Sequence, residues 1–265
     1  MKIAVLTSNQ PRHLHLVRCL AEVADETRVV IETKSTCGFQ PDSFAKKPFL
    51  KTYFEKVQNA ENSIFGDISL TQNSSHFIAI PHGEMSLLPL ATLEPIFDAD
   101  LIIVFGSSYI KGGLCEKLIS KGTINLHMGI SPYYRGAACN FWALYDQNPL
   151  YVGATIHLLS KGLDSGEICY HAMPKPNSYD SDPFHFSMRS VKAAHLSLRD
   201  KIANSDILNS LPTKPDKENE IRYSKISDFT EEIAEEYLNH RVHKLATSDI
   251  LSSSTPPQLV KPVYY

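Results

Sequence analysis

The chain has 265 residues, 43% of them hydrophobic, which suits one fair-sized domain with a real core and a small appendage. It contains no run of about 18 apolar residues, so no spanning helix is expected, and its formal net charge of −3 supplies no global basic field for DNA or tRNA. The cysteines (Cys19, Cys37, Cys115, Cys139, Cys169) are odd in number, widely spaced and without a CxxC pair; reduced thiols of a cytoplasmic protein are expected, with no zinc site and no disulfide framework.

Residues 2–7 (KIAVLT) are too short an apolar stretch for a signal peptide and read as a first strand, closed by Ser8, Asn9 and Gln10. Pro11 opens a helical pattern in which Leu14, Val17, Leu20 and Ala21 share a face. A second strand is expected over 28–32, a helix over 43–59, a short strand over 77–80 and a short helix over 89–97. The run 101–105 (LIIVF) is continuously apolar, as a parallel strand covered on both faces should be. A helix over about 112–120, a strand over 123–127, a helix over 137–146 and a strand over 152–159 follow. Residues 174–183 read as loop, and Phe184, Met188, Val191, His195, Leu198 and Ile202 mark an amphipathic helix. Beyond it lie a charged linker (211–220), a strand-like stretch (221–226), an acidic helix from about Asp228 and a tail expected to be loosely held. This alternation of strands and helices predicts an α/β fold: an open, mostly parallel, Rossmann-like sheet with helices on both faces and a small C-terminal appendage. Such sheets bind ligands beyond the C-terminal ends of their strands.

The chemistry-bearing residues gather at such an end. Within TINLHMGISPYYRG (123–136), strand alternation turns Asn125 and His127 the same way and Leu126 the other. Further on comes GLDSGEI (162–168), where two glycines flank Asp164 and let backbone approach a ligand closely. Taken singly, each group has a plainer reading: a strand-end hydrogen bond for Asn125 and His127, a turn residue for Asp164. His157 alternates within its strand and reads as a hydrogen-bonded core or rim histidine. No histidine pair has metal-ligand spacing on a clear element, so no metal is implied.

The N-x-H followed by S-x-x-x-R-G, then G-L-D-S-G-E-I after a strand, resembles the formyltransferases that use 10-formyltetrahydrofolate. The resemblance is sharp over about 100–171, diffuse before it and faded beyond about 205. It implies a catalytic domain over 1–205, a small C-terminal region over 206–265 and Asn125, His127 and Asp164 as the catalytic trio. In this reading Asn125 and a protonated His127 donate hydrogen bonds to the oxyanion of a tetrahedral intermediate. Asp164 keeps the imidazole charged and relays the proton. The resemblance also implies that backbone of the loop Ser107, Ser108, Tyr109, Ile110 and Lys111 meets the pterin edge of the folate co-substrate, with Leu163 and Asp164 closing the other side.

For the acceptor amine, the family includes glycinamide ribonucleotide, methionyl-tRNA and sugar-amine enzymes. The turn Thr7–Pro11 lacks the glycines that cradle a phosphate in the first of these. The short, partly acidic C-terminal part (EEIAEEY, 231–237) fits poorly with tRNA. A nucleotide-linked amino sugar is therefore the expected small-molecule partner, with Asn9, Tyr133, Tyr134 and Arg135 as acceptor-side candidates. Arg135 reads equally well as a structural salt bridge, and the two tyrosines equally well as packing. A formyltetrahydrofolate hydrolase would use the same trio with water, though such enzymes usually carry an additional N-terminal domain. Dimerisation through the C-terminal part is left open.

Overall fold

The computed structural model describes residues 1–34, 47–66, 75–175, 182–207, 211–241 and 256–265. Its strands are β1 (Lys2–Ser8), β2 (Glu26–Thr33), β3 (Ser75–Pro81), β4 (Leu101–Val104), β5 (Ile124–His127), β6 (Tyr134–Gly136), β7 (Ala154–Leu158), β8 (Ile168–Met173), β9 (Arg222–Ser224) and β10 (Val263–Tyr264). The helices are α1 (Pro11–Ala21), α2 (Pro48–Phe65), α3 (Glu94–Phe97), α4 (Gly112–Ser120), α5 (Cys139–Tyr145), α6 (Pro183–Ala203) and α7 (Glu231–Glu236).

Eight strands form one sheet in the order β10-β8-β7-β5-β4-β1-β2-β3. The half from β3 to β5 is wholly parallel, β7 runs antiparallel to both β5 and β8, and β10 lies parallel to β8. The pleat divides the core. Ile3, Val5, Leu101 and Ile103 pack on one face with α1, α2 and α6, while Ala4, Leu6, Ile102 and Val104 face α3 and α4. Burial on both faces is why these strands read as unbroken apolar runs. Among the described residues no helix is long and apolar enough to cross a membrane. The four described cysteines are buried and unpaired, and Cys37 lies outside the described residues.

Helix α6 starts where expected: Pro183 occupies its first turn, and the Asp182 carboxylate accepts the Phe184 amide at 2.8 Å. Helix α2 covers Pro48–Phe65 rather than 43–59, and residues 43–46 lie outside the described ones. Strand β8 was not expected, and all six of its residues are buried.

The small C-terminal region packs closely on the rest of the chain. Strand β9 pairs with β6 in parallel, α7 packs on α2, and Ala234 and Tyr237 belong to the main core. The Glu231 carboxylate accepts the amides of Phe49 and Leu50 at 2.7 and 3.2 Å, satisfying the N-terminus of α2 from another element. Arg222 grips Asp146 with two bonds at 2.8 and 2.6 Å and lies 4.5 Å over the Trp142 ring. The end of the tail, expected to be loose, is β10, and the Tyr265 hydroxyl donates to Asp200 at 2.6 Å.

The β6–β9 crossing depends on Gly136. Its φ of +93° lies in the left-handed region, and an added Cβ would sit 2.0 Å from the Ser224 carbonyl oxygen. Gly136→Ala should therefore cost roughly 2–4 kcal/mol, combining a strained dihedral with overpacking. Urea unfolding of the variant measures this, and a loss under about 0.5 kcal/mol would show that the crossing tolerates a side chain.

Candidate active site

Strand β5 delivers Asn125 and His127 to the C-terminal end of the sheet, with Ile124 and Leu126 turned into the core. Next to it, β7 and β8 are joined by the loop that carries Asp164. The loop closes tightly because Gly166 has no side chain: a Cβ there would lie 1.7 Å from the Leu158 carbonyl oxygen. Asp164 itself adopts φ +46°, a conformation that aspartate tolerates better than most residues. Ser131 Oγ donates to the Asp164 carbonyl at 3.2 Å, and Arg135 Nη2 donates to that of Leu163 at 2.8 Å.

The buried Asp164 carboxylate is the meeting point. Its Oδ1 lies 3.3 Å from His127 Nδ1, 3.5 Å from Asn125 Nδ2 and 3.8 Å from His157 Nε2. Its Oδ2 accepts the Gly136 amide at 3.2 Å. Burial pushes this carboxyl up, but the imidazoles of His127 and His157 and the Gly136 amide outweigh it and bring it down to about 2.

Two backbone carbonyls set the imidazole tautomers. His127 Nε2 donates to the Tyr134 carbonyl at 3.2 Å, which leaves Nδ1 as the basic nitrogen, beside Asp164. The sequence led us to expect a protonated His127 held by Asp164. In the resting site burial is the stronger influence and takes its pKa below the usual value, with the carboxylate opposing. His157 Nδ1 donates to the Leu158 carbonyl at 2.8 Å, so Nε2 accepts the Asn125 amide N–H at 2.9 Å. One hydrogen of Asn125 is thus fixed. The other, 3.5 Å from Asp164, is loosely held and free to reach an oxygen in the cleft.

A cleft of about 830 Å³ runs past these groups. On one side it is lined by Gly106–Ile110 and by Ser160–Asp164. Ser107, Ser108, Tyr109, Ile110, Leu163 and Asp164 therefore all border it, whereas Lys111 does not; its amide donates to Ser86 Oγ at 3.0 Å. Arg12, Tyr53, Phe141, Phe184 and Met188 also line it, together with Tyr223–Ile226.

The acceptor-side candidates lie elsewhere. Asn9 spends both ends of its amide on the backbone of Lys34, at 2.9 and 2.8 Å. Tyr134 is wholly buried, its hydroxyl shared between Asp146 and Asn148; Tyr133 is also buried, its hydroxyl accepting the amide of Gln258. Arg135 pairs with Glu220 at 2.6 Å and braces the Asp164 loop, so its structural reading is the one the geometry carries. None of the four borders the cleft. Sequence reasoning did not reach Arg12, Tyr53 or the 223–226 rim, which meet at the cleft only through the tertiary fold. His157 was placed at a core or rim position, and it is buried while also orienting Asn125.

Comparison with known proteins matches residues 1–182 to the formyl transferase family. A methionyl-tRNA formyltransferase of Lachnospira eligens is 29% identical over 125 residues, 44% of this chain. The match spans 39% of that relative's length. Among solved structures, a 4-N formyltransferase from Francisella tularensis superposes with a TM-score of 0.54 at 20% identity, covering 99% of this chain and 91% of that one. An N-formyltransferase from Helicobacter canadensis, in complex with folinic acid and dTDP-3-aminofucose, gives 0.52 at 11% identity, over 92% and 80% of the two chains. These two show a shared fold. With the family match covering well over half of its length, the chain belongs to the formyl transferase family.

Proposed function

We propose that the chain transfers a formyl group from 10-formyltetrahydrofolate to a primary amine on a nucleotide-linked amino sugar. The observation that carries this reading is the convergence of Asn125, His127 and Asp164 on one cleft, from two elements far apart in sequence. On the folate side, the amides of Tyr109 and Ile110 have no protein partner among the described residues and border the cleft, as recognition of a pterin edge requires.

The trio accounts for the chemistry of the transfer. The acceptor amine attacks the formyl carbon, and the carbonyl oxygen gains negative charge. Asn125 donates its loosely held hydrogen to that oxygen. The neutral His127 takes the proton released by the amine on Nδ1, and Asp164 stabilises the imidazolium that forms. That proton then passes to the departing folate nitrogen.

Two features favour a sugar over glycinamide ribonucleotide. The β1–α1 turn has no glycine, and two of its side chains are engaged within the protein: Asn9 on Lys34, and Ser8 Oγ on His13 Nδ1 at 2.5 Å. Without glycine, the backbone there is less able to close round a phosphate. On the rim, the exposed Tyr223 offers an aromatic ring to the apolar face of a sugar.

Incubation with 10-formyltetrahydrofolate and a panel of nucleotide-linked amino sugars should yield a product heavier by one formyl group. Turnover of glycinamide ribonucleotide alone would reverse the acceptor assignment, and formate release without any amine would indicate a hydrolase. Asn125→Ala and His127→Ala should each lower kcat by about 10²–10³-fold, the loss of one oxyanion or proton-transfer group. Folinic acid affinity should change by less than about threefold in both, because these groups act on the transition state.

The pH profile carries a sign. With a pKa below the usual imidazole value of 6.5, His127 is neutral at neutral pH. Then kcat/KM should be level above about pH 7 and fall as acid protonates Nδ1. Asp164→Asn removes the charge that raises this pKa, so the residual activity should show its acid limb at lower pH. An acid limb that the variant leaves in place would assign the titration to the acceptor amine instead. A decline toward alkaline pH would mean that a pre-formed imidazolium is the active form.

A further inference from the structure

Glu32, the penultimate residue of β2, is fully buried and belongs neither to the trio nor to the cleft lining. Its Oε1 accepts the amides of Gly83 and Met85 at 3.0 and 3.3 Å and the Ser108 hydroxyl at 2.7 Å. Its Oε2 accepts the Ser108 amide at 2.5 Å and lies 3.3 Å from His82 Nδ1. Among the described residues, the groups bonded to this carboxylate are donors or a histidine nitrogen able to be one. Burial raises its pKa, yet the Ser108 hydroxyl and the three amides more than offset that and leave it below the ordinary value.

In the sheet β2 is separated from β4 by β1, so the side chain reaches past the end of β1 to the loop that follows β4. On the other side it holds the loop that follows β3. That second loop supplies Ser86, whose hydroxyl accepts the Lys111 amide at 3.0 Å. Ser108 is therefore anchored directly and Lys111 at one remove. Between these anchors lie Tyr109 and Ile110, which border the cleft and whose amides have no partner among the described residues.

We propose that Glu32 is a positioning residue for folate binding, which fixes the 107–111 loop so that the Tyr109 and Ile110 amides point at the pterin edge. This rests on the folate reading above. A carboxylate suits the task where an amide does not: glutamine in its place would direct an NH₂ group at N–H donors. A residue that merely fills space would have no need to draw both the amide and the hydroxyl of one cleft-loop serine.

Binding of folinic acid, measured by calorimetry on the full chain well below its unfolding temperature, tests this without knowledge of the acceptor. Glu32→Gln should weaken folinic acid at least tenfold, and Ser108→Ala, which removes one anchor and spares the core, about threefold. In formyl transfer both variants should raise KM for the folate and leave kcat at saturating folate within about twofold of wild type. Affinity kept in both variants, with only a lowered unfolding temperature, would overturn the proposal and leave Glu32 a structural group. If Glu32→Gln does not fold, Ser108→Ala decides the matter by the same criterion. Wild-type protein that fails to bind folinic acid would instead remove the folate reading, and this proposal with it.

Discussion

A buried carboxylate survives as an ion only where donors reach it, and Asp164 draws its own from two places in the chain, with two imidazoles beside it. The Asn125 amide and the imidazole of His127 come from β5, the imidazole of His157 from β7, and the Gly136 amide from the β6–β9 crossing. Moving any one of these elements leaves the carboxylate short of a partner. The position of the site is therefore fixed by the same interactions that complete the sheet.

The antiparallel strand β7 is central to this arrangement. Because β7 turns back beside β5, it sets His157 opposite Asn125 and launches the loop that returns Asp164 to the same strand end. Asn125, with one hydrogen committed and one loosely held, is pre-oriented toward the cleft. Burial lowers the pKa of His127, and the adjacent Asp164 charge opposes that shift.

Much of this was legible in the chain. Strand β4 showed itself as a doubly covered apolar run, α6 as a repeat of threes and fours, and the trio as polar residues placed by alternation and by glycines. What stayed hidden has physical reasons. Burial of β7 on both faces erases the pattern that would reveal its direction, and β10 has two residues, too few for any period. Tyr133 and Tyr134 follow the site motif closely, yet local sequence does not say which way an aromatic ring turns, and both turned inward. Glu32 is one charge at the end of an apolar strand, and its partners are known only once three loops meet. The pairings of β9 and β10 stayed unread because their partners, β6 and β8, lie far back in the chain.

The account requires that His127 and Asp164 act as one unit, and a double-mutant cycle on kcat measures that directly. Combining His127→Ala with Asp164→Asn should cost little more than His127→Ala alone, since the carboxylate acts on the reaction through the imidazole. Losses that multiply, each substitution exacting its full cost in the presence of the other, would show two independent groups and contradict the account.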